Sequence, residues 1–207
     1  MREKIIYTVS QDSKKKALEE LRSLLYDGSL ILASYIRIPD KLFFELKKIS
    51  QQKRFLKKVS CLLKRELGDS EIKIILDLKL NENNLEQTRP ILEESYDYFD
   101  ALTFNEELSF SSLYEIKRGF PKKIELIFYP NSDDNSEKNV YAQAFYNLSA
   151  AIKYYNGQRK TPSFLFDFIV LPEAKTCDQE YEEQIRELNE KWKIKTIKEK
   201  KGLWAIL

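Results

Sequence analysis

Short apolar runs alternate along this chain with stretches whose apolar residues recur at three and four positions. A short apolar run bounded by turn residues reads as a strand buried on both faces. The amphipathic stretch after it reads as a helix that covers the strand and crosses back over the sheet, and repetition of that unit builds a parallel sheet. Six strands are expected on this pattern, at 4–10, 30–38, 72–80, 98–104, 123–129 and 164–171, with two weaker closing strands at 193–197 and 202–207. Helices are expected at 13–26, 40–67, 85–96, 109–118, 140–156 and 178–192, the third of them broken or kinked near Pro90, and 130–139 reads as a polar loop.

The 207 residues suit one domain, 1–207, since the alternation runs through without a break in composition. The expected fold is α/β: a single (β/α)8 TIM-like barrel, irregular at its last two strands, with Ile74, Leu76, Leu102, Ile127 and Ile169 buried. The rival is an open doubly wound sheet, but the Gly-rich turn that such a sheet places after its first strand is missing from SQDSKKKAL.

Composition removes several function classes. Basic and acidic residues nearly cancel, 35 against 33, so any electrostatic role must sit in a local patch. There is no histidine, which removes the usual neutral-pH base and the commonest metal ligand. The two cysteines, Cys61 and Cys177, have no metal or disulfide spacing. Asp133, Asp134 and Asn135 lack the spaced ligands of a calcium loop and read as a solvated turn. No cofactor and no metal are expected. Neither is a membrane: no apolar run reaches about 18 residues, and MREKIIYTVSQ is too polar for a signal peptide, so a cytoplasmic location is the expectation. The chain has only 5 glycines, few for an enzyme that must bring backbone N–H groups up to a phosphate.

The active end of a β/α barrel lies at the C-terminal ends of its strands. Polar candidates there are Ser10, Gln11 and Asp12 after the first strand, Arg37 on the second, Asp77, Lys79 and Glu82 on the third, Asn105, Asn131, and Glu173 with Lys175. In LDLKLNE, Asp77 and Lys79 are two apart and share a face of the strand. If that face is the interior, a carboxylate and an ammonium meet where they can deliver a proton to a carbanion; the alternative is a solvated pair facing the helices.

ILDLKLNE resembles the D-x-K-x-x-D strand of the orotidine 5′-monophosphate decarboxylase superfamily of barrels. KIIYTVSQDSKKKALEEL is similar to that family's first strand and helix, YFDALTFNEELSFSSLYEIK to its fourth unit, and FDFIVLPEAKT to its sixth. The resemblance implies a metal-independent lyase with Asp77, Lys79 and Glu82 as the catalytic set, and position at the strand ends makes Arg37, Asn105 and Lys175 the substrate-binding candidates. Where the family has Asp after the first strand this chain has Ser10, where it has Lys after the second the nearest cation is Arg37, and the second Asp of its motif is Glu82. KIKTIKEKKGLWAIL has no counterpart of the family's glycine-rich phosphate loops. A degenerate descendant or an altered activity fits these departures, and no tight phosphate site is expected at the C-terminal end.

A second function class comes from charge. Between Lys41 and Arg65 there are nine basic residues and one acid, Glu45. Lys47, Lys48, Lys53, Arg54, Lys57, Lys58, Lys64 and Arg65 form a cationic face opposite an apolar stripe, suited to RNA or an acidic protein partner, or simply to solvent. Phe43, Phe44 and Phe55 read as core. FDALTF, RGFPKKIELIFYPNSDDN and FDFIVL also resemble the middle strands of the p30-type barrel subunit of ribonuclease P, which implies a noncatalytic barrel that binds RNA and sister proteins. The partners to be tested are thus a small-molecule substrate, an RNA or protein on helix 41–65, and a second copy in a homodimer. The lysine-rich stretch around Lys195 and Lys198 reads as an exposed edge strand guarded by charge.

Overall fold

The computed structural model describes residues 4–46, 48–68, 72–105, 107–120, 123–129, 167–171, 195–200 and 203–206, with Glu183, Arg186 and Glu190 as isolated helical positions. Eight strands close into a barrel in sequence order: β1 Lys4–Thr8, β2 Ala33–Pro39, β3 Lys73–Leu80, β4 Ala101–Phe104, β5 Glu125–Phe128, β6 Phe168–Leu171, β7 Lys195–Lys200 and β8 Leu203–Ile206. Neighbours from β1 to β7 pair in parallel. The last strand departs from the (β/α)8 expectation, because β8 runs antiparallel to both β7 and β1. Only Lys201 and Gly202 separate β7 from β8. A parallel return needs a crossover of about a dozen residues, whereas two residues with a glycine suffice for a hairpin. Pairing on both sides also means that β7 is not an edge strand.

The described helices are α1 Lys14–Tyr26, α2 Asp40–Glu45, α3 Ile49–Leu67, α4 Glu82–Ser95 and α5 Phe110–Gly119. The expected helix 40–67 is two helices. Leu46 and Lys48 are both extended, and Gln52 of α3 donates its side-chain amide to the Phe43 carbonyl at 3.2 Å. α2 packs on β2 and β3, while α3 lies between α1 and α4, and one straight rod could not do both. α4 runs through Pro90 without ending. An interior proline costs about 3 kcal/mol, and burial of Leu85, Thr88, Ile91, Leu92 and Ser95 on that helix offsets it. The expected helix 140–156, the loop 130–139 with its Asp133-Asp134-Asn135 turn, and most of 178–192 lie outside the described residues.

Strand periodicity divides the core in two. Ile6, Tyr35, Ile75, Ala101, Ile127, Phe168, Val170 and Ile197 fill the barrel, one or two from each of β1 to β7. Residues of the opposite parity, among them Ile36, Ile38, Ile74, Leu76, Leu78 and Leu102, meet the helices in the larger outer cluster. Four of the five residues expected in the core, Ile74, Leu76, Leu102 and Ile127, are buried; the side chain of Ile169 lies outside the described ones. At the N-terminal end the barrel is plugged by Tyr35, Lys73 and Glu125. Tyr35 donates to Glu125 Oε2 at 2.8 Å and Lys73 Nζ lies 2.7 Å from Glu125 Oε1. Burial, and then that bond to a carboxylate, push the Tyr35 phenol above its ordinary range. The opposite end is thereby left for the functional side chains.

Candidate functional site

Asp77 and Arg37 share the interior parity of Ile75 and Tyr35, one pleat closer to the C-terminal ends of their strands. Asp77 is 1% exposed. Arg37 donates to Asp77 Oδ2 through Nε at 2.8 Å and also through Nη2, and the Thr103 hydroxyl donates to Asp77 Oδ1 at 2.7 Å. Both carboxylate oxygens are therefore occupied within the barrel wall. A guanidinium fork suits this because its two N–H groups are fixed in one plane. The expected pairing of Asp77 with Lys79 is replaced by the pairing with Arg37, the residue expected to bind substrate.

Lys79 goes elsewhere because β3 bulges. Leu76 pairs with Leu102 and Leu80 with Phe104, so β3 advances four residues where β4 advances two. Lys79 takes up the surplus with a left-handed backbone, φ 45°. Such a backbone costs a non-glycine residue on the order of 1–3 kcal/mol and persists only where its surroundings hold it. Three hydrogen bonds hold it here. The Thr103 Oγ1 accepts the Lys79 N–H at 2.9 Å, and the Asn84 side-chain amide donates to the carbonyls of Leu78 and Lys79 at 3.4 Å each. Asn84 is fixed in turn by a reciprocal cap with Asn81 at the start of α4. The Lys79 ammonium lies 4.6 Å from the centre of the Tyr129 ring, and among the described residues no carboxylate pairs with it. A cation over a tyrosine face is worth about 0.5–2 kcal/mol, depending on desolvation.

The remaining candidates divide. Glu82, the first residue of α4, is exposed and accepts from the Ser109 N–H at 2.7 Å and the Ser112 hydroxyl at 2.9 Å, so it clamps the start of α5. Bonds from Ser109, foremost, and Ser112 hold its carboxyl below the usual range. Asn105 is buried and its Oδ1 accepts the Glu107 N–H at 3.1 Å, forming the turn between β4 and α5. The Ser10 hydroxyl and N–H both donate to Glu20 of α1, closing the loop after β1. Asn131, Glu173 and Lys175 lie outside the described residues. The sequence reading missed Thr103, Tyr129 and Thr8. Thr8 is the strand partner of Arg37, and its buried hydroxyl has no hydrogen-bond partner among the described residues.

A barrel phosphate site is usually built by the loops after strands seven and eight and the N-terminus of a helix there. Here β7 turns directly into β8, and no βα loop follows β7.

On the outer surface, Lys48, Arg54, Lys57, Lys58, Lys64 and Arg65 are exposed, whereas Lys53 lies 3.6 Å from Glu94 of α4 and Arg65 pairs with Glu66. Lys47 lies outside the described residues. Phe43 and Phe55 are buried as expected, but Phe44 is 44% exposed. Cys61 is free and exposed. Among the described residues, no group of acidic or cysteine side chains could hold a metal ion, and no helix is long and apolar enough to cross a membrane.

No family of known sequences matches this chain, and neither does any curated protein. Among solved structures it is similar to orotidine 5′-phosphate decarboxylase from Pyrococcus horikoshii OT3, at 15% identity over 81% of this chain, with a TM-score of 0.49. It is also similar to a dihydrodipicolinate synthase family protein from Coccidioides immitis, at 16% identity over 63% of this chain, with a TM-score of 0.40. The chain spans 66% of the length of the first and 38% of the second.

Proposed function

We propose that this barrel is a metal-independent lyase that acts on a carboxylated small molecule at its C-terminal end, with Lys79 as proton donor. The observation that carries the reading is the state of Lys79: a strained left-handed backbone held by Thr103 and Asn84, presenting an ammonium with no carboxylate partner among the described residues. Strain of this kind clusters at functional sites. The D-x-K pattern of Asp77 and Lys79 adds the resemblance to decarboxylase barrels.

In such a reaction the bond between the substrate carbon and its carboxylate breaks, carbon dioxide leaves, and the electron pair stays on carbon. The Lys79 ammonium stabilises that pair and then gives it a proton, and water restores the ammonium. Asp77 and Arg37 do not touch the substrate on this account; their closed pair fixes Thr103, which fixes Lys79. Glu82 and Asn105 shape the rim. Lys175 remains the candidate for a second cation that binds the substrate.

The test is carbon dioxide release from orotidine 5′-monophosphate and from oxaloacetate in excess EDTA, with Lys79→Met beside the parent protein. General acids contribute on the order of a hundredfold or more, so Lys79→Met should lose at least that factor and still unfold cooperatively. Release unaffected by Lys79→Met, or no release from either compound by the parent, would sink the reading.

A further inference from the structure

The strongest feature that the barrel interior does not explain is charge on its outer face. α1 and α3 pack side by side. Burial, and then the nearby charges of Lys58 and Arg54, hold the Lys14 ammonium below its ordinary range, so cations of the two helices crowd together there. On α1 and α4 the nearby acids are engaged: Glu19 lies 3.9 Å from Lys15, Glu20 accepts from Tyr7 and Ser10, and Glu94 faces Lys53, while Glu45 beside Phe44 is exposed. Lys57 extends the same exposed ridge, with Arg54 and Lys58 one helical turn, about 6 Å, apart along the axis. α2 adjoins the first turn of α3, whose buried Gln52 is bonded to the Phe43 carbonyl. Phe44 stands there 44% exposed, its ring edge-to-face with Phe43 at 5.9 Å between centres.

We propose that the α1–α3 face binds single-stranded RNA, with phosphates on Lys14, Arg54, Lys57 and Lys58 and a base stacked on Phe44. A row of cations on α3 with no acid between Arg54 and Arg65 suits a linear polyanion, and an exposed ring on the adjoining helix α2 gives a base a surface on which to stack. An acidic peptide would use the same cations but brings no base to stack on Phe44. On α1, α2 and α3 the large apolar side chains exposed are Phe44 and Tyr26, and Tyr26 is the last residue of α1, at the far end from Lys14. The proposal stands independently of the chemistry at Lys79.

The experiment is fluorescence anisotropy of a labelled oligouridylate over a series of salt concentrations, with polyglutamate as competitor. Three or four phosphate contacts predict a slope of log K against log salt of about −2 to −3. Arg54→Glu with Lys58→Glu should weaken binding at least tenfold and flatten the slope. Phe44→Ala should weaken it about tenfold and leave the slope unchanged. Lys14→Gln should bind RNA more weakly yet unfold no earlier, because it also relieves like-charge repulsion. A dissociation constant no tighter than about 10⁻⁴ M, or charge reversal without effect, overturns the proposal. So does full affinity in Phe44→Ala with equal competition by polyglutamate, which would assign the face to an acidic protein.

Discussion

Thr103→Val is the most informative single change in the barrel. The threonine hydroxyl donates to Asp77 Oδ1 at 2.7 Å and accepts the Lys79 N–H at 2.9 Å, and the residue is fully buried. Valine keeps the shape and removes both bonds. A hydrogen bond to a charged carboxylate contributes about 1.5–3 kcal/mol, and a buried N–H left without an acceptor costs about 1–3 kcal/mol. The two losses together predict a destabilisation of roughly 3–5 kcal/mol. Thr103→Ser keeps the hydroxyl and loses one methyl group, a loss of about 1 kcal/mol. Urea unfolding followed by circular dichroism would measure all three proteins. Thr103→Val within about 1 kcal/mol of the parent, or Thr103→Ser as damaging as Thr103→Val, would refute the claim that this hydroxyl joins Asp77 to the Lys79 bulge.

Removing one member of the buried pair takes from the other its closest charged partner. Arg37→Met and Asp77→Leu should each cost about 3–5 kcal/mol and the double variant clearly less than their sum, because the two share one interaction; additive losses in urea unfolding would contradict the pairing. The Glu82 carboxyl is held below its ordinary range by Ser109 and Ser112, so its contribution to stability is present above the ordinary glutamate range and lost as pH falls through the lowered value. The acid limb of a stability-against-pH curve should accordingly be shallower in Glu82→Gln, and an unchanged limb would show that the clamp does not form. Ribose 5-phosphate should show no saturable binding tighter than about 1 mM by calorimetry, because the β7–β8 hairpin stands where a phosphate loop would be; micromolar binding would overturn that.

The barrel was legible because its evidence is local. Apolar runs and helical spacing are properties of neighbouring residues, and they placed the strands up to β6; whether the face of Asp77 was interior stayed open until the barrel closed around it. The direction of β8 was legible too, since two residues cannot span a crossover, though the strand was read only as a closing one. The break at 46–48 was not legible, because Leu42, Leu46 and Ile49 keep the helical period straight through it. The partner of Asp77 was hidden for another reason. Arg37 lies 40 positions away and Thr103 lies 26 away, and only barrel closure brings them together. One signal was available: Thr103 is the lone hydroxyl of ALTF, and its parity follows from the alternation of the strand. The bulge at Lys79 had none, since no glycine or asparagine marks the left-handed position.

The central claim, that Lys79 presents to a carboxylated ligand an ammonium with no carboxylate partner among the described residues, can be read at that side chain itself. Reductive methylation with 13C-formaldehyde labels each lysine amine, and Lys79→Arg assigns its resonance. The ring of Tyr129 at 4.6 Å should shift that signal away from the position of solvent-exposed lysines, and Tyr129→Leu should return it. Titration with oxaloacetate should move the Lys79 signal saturably, while the lysines of α3 stay still. A Lys79 signal at the exposed position, or one that no carboxylate moves while surface lysines respond, would contradict the account.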